Sequence, residues 1–222
     1  MALYLDHAFV LCDVGAPEAG VLIARGLIEG SSNVHPGQGT ANRRFFFSNF
    51  MLELLWVILP DEAASDAVRN TGLWERWSRR ATGASRFGVV YGGVQAKGSS
   101  PPFTTKSYYA KYLPPGRSIE IVQGLSLEEP ALFWIPSLDA DQTGRSEPVN
   151  HHAAVRTIAG VSIGLPSVGS LSLPALHARD AGLLDFFETA SPVLEVHFYG
   201  TSKESIDCRP HLPVVFRATT LT

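Results

Sequence analysis

Three polar groups in the first 57 residues have the types and spacing of a buried reactive site. His7 lies in the apolar run LYLDHAFVL, Glu53 lies in the apolar run MLELLWV, and residues 35–43 between them read HPGQGTANR. A histidine and a carboxylate on two apolar strands can present metal ligands or an acid–base pair inside a cleft. A buried unpaired charge is very costly, so Glu53 needs a partner there. The alternative is that Glu53 faces solvent or pairs with Arg43.

The glycine-rich loop between the two strands is the other candidate part of this site. His35 precedes a proline and is therefore restricted to extended conformations, and the glycines at 37 and 39 permit a tight turn close to a ligand. Backbone N–H groups of such a loop could hold an anion or a carbonyl oxygen. No Gly-Lys-Ser/Thr ending follows, which excludes a phosphate-binding P-loop. The alternative is a loop that only connects two strands.

The elements around these residues follow a strand, helix, strand, strand, strand order. Apolar and aromatic runs predict strands at residues 3–11, 27–34, 43–48 and 50–58. Pro17 and Glu18 suit the first turn of a helix that runs to about residue 26. We therefore predict that module 1, about residues 1–58, is a βαβββ unit.

The rest of the chain suggests a second, weaker copy of this unit. A connecting helix is expected at about 60–83, with an interruption at 70–72, and central strands at about 85–136. A C-terminal module is expected at about 150–222. Laying residues 5–10 on residues 158–163 aligns His7 with Gly160.

Two stretches between these elements are predicted to be long loops. The connection at 98–112 could carry a short strand and three tyrosines, and the polar stretch at 139–148 is predicted to be the most mobile segment. The prediction for the fold class is α+β, with one unit over residues 1–222 in which curved mixed sheets enclose a cleft.

Composition excludes several classes of protein. The 222 residues carry 18 Lys+Arg against 21 Asp+Glu, a net charge of -3, and no basic stripe of the kind that binds nucleic acid. No apolar run approaches the ~20 residues needed to cross a membrane, and the first residues lack the basic region of a signal peptide. Two cysteines are too few for a disulfide framework. We expect a soluble cytoplasmic protein.

The motifs LDH at 5–7, HPGxGTxNR at 35–43 and LEL at 52–54 resemble, in order and spacing, the glyoxalase-like branch of the vicinal oxygen chelate superfamily. The resemblance is specific over residues 3–57 and looser beyond. It implies βαβββ modules around a cleft that usually holds a divalent metal, with His7 and Glu53 in ligand positions. It assigns substrate contacts to four residues of the loop region, namely His35, Thr40, Asn42 and Arg43. It also implies a possible homodimer.

Further ligands are needed, because two protein ligands are too few for useful metal affinity. His152 is one candidate, since at most one of two adjacent histidines can enter a cleft from a strand. Glu195 is another, because it shares a strand face with His197 and lies in an LEV run that resembles the run around Glu53. Both could equally be surface residues.

These observations leave three functions open. The first is a glyoxalase-like isomerase, lyase or dioxygenase that acts on a small carbonyl or aromatic metabolite, with His7 and Glu53 binding Zn, Mn, Fe or Ni and Glu53 moving a proton. The second is a protein of the same fold that binds a small molecule without metal. The third is a structural or regulatory domain whose site is degenerate. A small-molecule ligand, and neither nucleic acid nor membrane, is the expected partner.

Overall fold

The structure is a computed structural model that describes residues 3–93, 103–136, 146–200 and 205–220. Residues 98–102 of the predicted long connection and 139–145 of the predicted mobile segment lie outside this description. Among the described residues, no helix combines the length and the apolar composition needed to span a bilayer.

The N-terminal module follows the predicted order. Its elements are β1 (Tyr4–Leu11), α1 (Ala19–Ala24), β2 (Asn33–His35), β3 (Thr40–Phe46) and β4 (Met51–Val57). The second strand is much shorter than the predicted 27–34. Residues 28–32 form no ladder there; instead the Arg44 side chain donates to the Ser31 carbonyl, and the Gly30 amide donates to the Arg44 carbonyl.

The remaining elements alternate short helices with strands. They are α2 (Pro60–Ala63), a 3₁₀ turn (Arg69–Thr71), α3 (Leu73–Ser78), β5 (Phe87–Gly92), β6 (Thr105–Tyr108), β7 (Ile119–Val122), β8 (Ala131–Ile135), β9 (Ile158–Leu165), α4 (Leu173–Asp180), β10 (Asp185–Glu188), β11 (Val193–Tyr199), β12 (Ser205–Asp207) and β13 (Val214–Thr219). The predicted helix at 60–83 is thus broken in the middle, where Gly72 adopts a left-handed conformation. Strand β12 was not predicted.

An eight-stranded sheet contains two modules joined edge to edge. Its order is β2-β3-β4-β1-β5-β8-β7-β6, and the central pair β1–β5 is antiparallel. Outward from this seam each half repeats one pattern, in which the first strand pairs with the fourth in parallel and the fourth pairs with the third. The second half of the sheet therefore comes from residues 87–135 and not from the C-terminal module.

The C-terminal strands form a separate five-stranded sheet, in the order β10-β9-β11-β13-β12. This order and the strand directions repeat the centre of the large sheet, β4-β1-β5-β8-β7. Strand β9 thus occupies the position of β1, as the overlay of residues 158–163 on 5–10 implied. In that register Ser162 matches Phe9, and its parallel neighbour Asp185, not Glu195, matches Glu53.

Strand alternation divides the large sheet into two apolar faces. One face packs against the small sheet in a single buried cluster that includes Val10 and Leu54 from the first sheet and Ile163 and Phe216 from the second. The other face carries a second buried cluster, to which Phe9 and Phe133 contribute. The first face is the main core, and the second face is the wall of a cleft.

His151 joins the segment before the small sheet to the N-terminal module. Its Nδ1 accepts the Ile28 N–H at 3.0 Å, and its Nε2 lies 2.8 Å from the Phe46 carbonyl oxygen. An Nδ1 that accepts and an Nε2 that faces a carbonyl define a neutral ring with its proton on Nε2. Burial lowers the pKa of His151 below its usual 6.5, which outweighs the opposing effect of the Phe46 carbonyl.

This lowered pKa predicts a loss of stability in acid. Below pH 6.5 the unfolded chain takes up the proton before the folded one does, so the contribution of His151 is complete above 6.5 and declines as the pH falls. We expect His151→Gln to cost about 1–3 kcal/mol at neutral pH through lost hydrogen bonds. The free energy of unfolding of His151→Gln should also fall less steeply than that of the wild type as the pH is lowered. Urea titrations across this range check this, with the exposed neighbour variant His152→Gln as control; equal slopes for wild type and His151→Gln would contradict it.

Candidate functional site

The cleft lies on the face of the large sheet that points away from the small sheet. Most of its polar side chains come from residues 7–53, and its apolar wall comes largely from β5 to β8, with Tyr108, Tyr112 and Leu113 also lining it. The cavity measures about 140 Å³, where a single water takes roughly 10–15 Å³ on the same scale. The space therefore suits a small organic molecule.

Glu53 is the carboxylate at the centre of the polar half. It lies on β4, directly opposite Phe9 on β1 and Arg44 on β3, and only 5% of its surface is exposed. The Asn42 side-chain amide donates a hydrogen bond to its Oε1. Asn42 and Arg44 are two residues apart on β3, so the period of the strand places both beside Glu53.

His7 reaches Glu53 from β1. Its Nε2 lies 3.8 Å from Glu53 Oε2, while its Nδ1 lies 2.6 Å from Asp6 Oδ2. The register of β1 against β5 shifts between Leu5 and His7, which is the signature of a bulge. A bulge re-aims neighbouring side chains, and here adjacent residues on one strand contact each other.

His35 approaches the other oxygen of the same carboxylate. Its Nε2 lies 3.9 Å from Glu53 Oε1, and its Nδ1 lies 2.9 Å from Thr40 Oγ1. The ring packs against Tyr112 with centroids 4.8 Å apart. Burial lowers the pKa of His35, and the nearby Glu53 only partly opposes this effect. One carboxylate is thus flanked by two imidazoles, each of which is held through Nδ1.

The glycine-rich loop places His35 and Thr40 and does not itself bind through its backbone. The Gly37 N–H donates to Glu62 Oε1 at 3.0 Å, and the Gln38 N–H donates to the His35 carbonyl. The proposed anion-binding role of these two N–H groups is therefore wrong. The Gly39 carbonyl accepts from both Ile58 and Leu59, which docks the loop onto the end of β4.

Comparison with known proteins agrees with this topology. No family model and no curated protein matches the chain. A solved structure of a hypothetical protein from Staphylococcus aureus matches over 100% of both chains, with a TM-score of 0.55 and 10% identity. Together with the paired βαβββ-type halves, this full-length match decides the fold. The chain has the vicinal oxygen chelate fold.

Other solved structures with the vicinal oxygen chelate fold match more distantly. A methylmalonyl-CoA epimerase from Streptomyces coelicolor is 15% identical, over 60% of this chain and 92% of that one, with a TM-score of 0.39. A mutant 4-hydroxymandelate synthase from the same organism is 12% identical, over 96% of this chain and 61% of that one, with a TM-score of 0.38. Such identities carry no information about substrate or reaction.

The structure brings together five of the eight residues predicted for the site, namely His7, His35, Thr40, Asn42 and Glu53. Arg43 points to the opposite face of β3, where it pairs with both carboxylate oxygens of Glu29 and donates to the Ala16 carbonyl. Its neighbour Arg44 lines the cleft instead. The prediction that Arg43 contacts substrate is therefore wrong, because the strand alternates sides at every residue.

The two weaker ligand candidates also lie elsewhere. His152 is exposed and does not line the cleft, whereas His151 is buried against Phe47 on the other side of the sheet. Glu195 lies on β11 of the small sheet, 2.6 Å from Arg217. Neither of them joins the cleft, whose apolar half comes from β5 to β8.

The donor atoms fit a divalent metal by type but not by arrangement. Among the described ranges, no three or more His, Cys, Asp or Glu side chains are grouped so as to hold a metal ion. Two ligand atoms bound to one zinc ion at about 2.0–2.2 Å lie roughly 3.0–3.5 Å apart, and the His7–Glu53 and His35–Glu53 distances are longer. Among the described residues of the second half of the sheet, those that line the cleft are apolar or tyrosine, such as Val90 and Phe133.

Several polar residues that line the cleft were missed in the sequence, among them Asn33, Gln38, Arg44 and Tyr112. Gln38 and Tyr112 line the cleft and contact each other, although 74 positions separate them. Gln38 lies inside the recognised loop motif, so the motif itself offered a signal. Tyr112 is one of the three tyrosines of the predicted connection at 98–112, and its hydrogen bond to Gln38 depends on the path of the loop after β6.

Proposed function

We propose that this protein is an enzyme that binds a small carbonyl-bearing or aromatic metabolite in the cleft and that Glu53 moves a proton on it. One observation carries the proposal: a single buried carboxylate lies between two imidazole nitrogens, at 3.8 and 3.9 Å, at the polar end of an otherwise apolar cleft. Ionisable side chains that converge in a cleft are typical of functional sites.

The proton transfer follows from the positions of the side chains. Glu53 takes a proton from the carbon next to the ligand carbonyl, which leaves an enolate, and returns it to the same or the opposite face. An imidazole N–H from His7 or His35 stabilises the negative charge on the enolate oxygen. Asn42 orients the carboxylate through its hydrogen bond to Oε1.

The apolar half of the cleft supports the choice of ligand. Ile119, Ile121 and Phe133 form a wall on which an aliphatic or aromatic group can lie, opposite the polar side chains. Burial of this group excludes water from the reacting carbon, which strengthens the hydrogen bonds to the oxygen. Both halves of the cleft belong to one chain, so the proposed reaction does not depend on a homodimer.

A divalent ion in the same place is a second candidate. It is favoured by the contact of His7 Nδ1 with Asp6, since metal-bound histidines usually have such a carboxylate partner. His7 and Glu53 would hold the ion together with at least one further ligand, after moving closer together than they are in this structure. A bound ion would supply a Lewis acid for the carbonyl oxygen.

Solvent exchange tests both candidates. A panel of 2-oxo acids, hydroxyketones and branched acyl thioesters is incubated with the protein in D₂O, and deuterium at the carbon next to the carbonyl is measured by NMR. Exchange that survives chelation supports proton transfer by the side chains alone. Exchange that chelation abolishes and Zn, Mn, Fe or Ni restores supports the metal candidate. Ligand-induced thermal stabilisation without exchange would replace both candidates with simple binding. If the panel produces neither exchange nor thermal stabilisation, the proposal is contradicted.

A further inference from the structure

A line of hydrogen bonds runs from the rim of the cleft to His35. Tyr112 Oη donates to Gln38 Oε1 at 2.9 Å, and Gln38 Nε2 donates to Thr40 Oγ1 at 2.8 Å. Thr40 Oγ1 in turn lies 2.9 Å from His35 Nδ1. Gln38, Thr40 and His35 are buried, with exposed fractions of 5%, 1% and 9%.

The direction of these bonds can be followed from one end. A tyrosine hydroxyl that donates to Gln38 fixes the side-chain amide with its oxygen towards Tyr112 and its NH₂ towards Thr40. The Thr40 oxygen then accepts from Gln38. A hydroxyl has one proton to give, and the His35 Nδ1 lies within reach to accept it.

The other ring nitrogen of His35 leads to the same assignment independently. Its Nε2 faces the Glu53 carboxylate at 3.9 Å. An N–H at this position is attracted to the carboxylate, whereas a nitrogen lone pair is repelled by it. A proton on Nε2 and a lone pair on Nδ1 therefore satisfy both neighbours.

We infer that Tyr112, Gln38 and Thr40 are positioning residues that hold His35 as the neutral tautomer protonated on Nε2. His35 thereby presents a hydrogen-bond donor to the cleft beside Glu53.

The assignment has a consequence for ligand choice, and this consequence rests on the proposed function. A neutral Nε2–H donates to a carbonyl or enolate oxygen and has no lone pair for a metal ion. The cleft would then select ligands with an oxygen acceptor next to the carbon that Glu53 addresses. It also gives a reason why the donors around Glu53 are not arranged as a metal site.

Nitrogen NMR of ligand-free, ¹⁵N-histidine-labelled protein at neutral pH tests the inference without any substrate. The His35 signals are identified by their loss in His35→Gln. We expect the wild type and Thr40→Ser to show a protonated Nε2 and an unprotonated Nδ1. Thr40→Val removes the donor to Nδ1. Gln38→Leu removes the N–H that donates to Thr40 Oγ1. Tyr112→Phe removes the hydroxyl that orients the Gln38 amide. Each of these three variants should shift His35 towards the Nδ1–H tautomer.

Two results would overturn the inference. One is a wild-type His35 protonated on Nδ1, and the other is an unchanged Nε2–H tautomer in all three variants. Dispersed amide spectra confirm that each variant is folded, and if Thr40→Val does not fold, Gln38→Leu and Tyr112→Phe carry the test. Because the readout needs no turnover, its failure is distinguishable from a failure of the role proposed for Glu53.

Discussion

Glu53→Gln is expected to lower the rate of deuterium exchange in a responsive carbonyl compound by about 10²–10⁴-fold, the usual contribution of a general base. Glutamine keeps the shape of the side chain and can still accept from Asn42, but it cannot take up the proton. Ligand affinity should change much less than the exchange rate, because the apolar wall is intact. Exchange by NMR and ligand titration on the same variant separate these two effects.

The matched control is Glu195→Gln. Glu195 is also a buried strand carboxylate, but it lies in the small sheet and pairs with Arg217. This variant should exchange the same compound at the wild-type rate. If Glu53→Gln and wild type have equal rates, Glu53 is not the base and the proposed proton transfer is wrong. If Glu195→Gln also loses exchange, the effect arises from stability and not from chemistry.

Gly39→Ala is expected to lower the free energy of unfolding more than His151→Gln or Gly37→Ala does. Gly39 has φ +72°, and a Cβ added there would lie 2.5 Å from the Leu59 carbonyl oxygen and 2.8 Å from the Ala63 nitrogen. The left-handed conformation costs an alanine roughly 1–2 kcal/mol, and overpacking typically adds a further 1–3 kcal/mol. At about 2–4 °C per kcal/mol for a chain of this size, the melting temperature should fall markedly.

Gly37→Ala is the control in the same loop. Gly37 has φ +80°, but its added Cβ meets only the flexible side chain of Lys111, which can move away. It should therefore lose only the conformational part, roughly 1–2 kcal/mol. Calorimetry or thermal denaturation of both variants gives the difference. Equal losses would mean that the contact of Gly39 with the backbone of residues 59–63 does not constrain the loop.

Local patterns predicted the fold and the polar half of the cleft. The α+β class and the vicinal oxygen chelate fold, which the resemblance of residues 3–57 implied, are confirmed. Apolar runs and turn residues predicted the N-terminal βαβββ module. His7, His35, Asn42 and Glu53 meet because their strands are neighbours in sequence and in the sheet. The prediction for Arg43 was wrong for a reason already present in the sequence. Alternate residues of a strand share one face, and Arg44 follows Thr40 and Asn42 on that face.

The apolar half of the cleft depends on information that local patterns do not contain. Strand β1 could pair with β5 or with a strand of the C-terminal module, and only the packing of both sheets decides between them. Likewise, the bond between Tyr112 and Gln38 depends on how a loop closes over the cleft, for which residue spacing gives no rule.

The seam between β1 and β5 separates the reactive side chains of the cleft from its apolar wall. Every ionisable side chain proposed for chemistry comes from the strands before the seam, and the apolar wall comes from the strands after it. Substitutions at positions such as Ile121 and Phe133 can therefore change which ligand fits the cleft without disturbing the reactive groups.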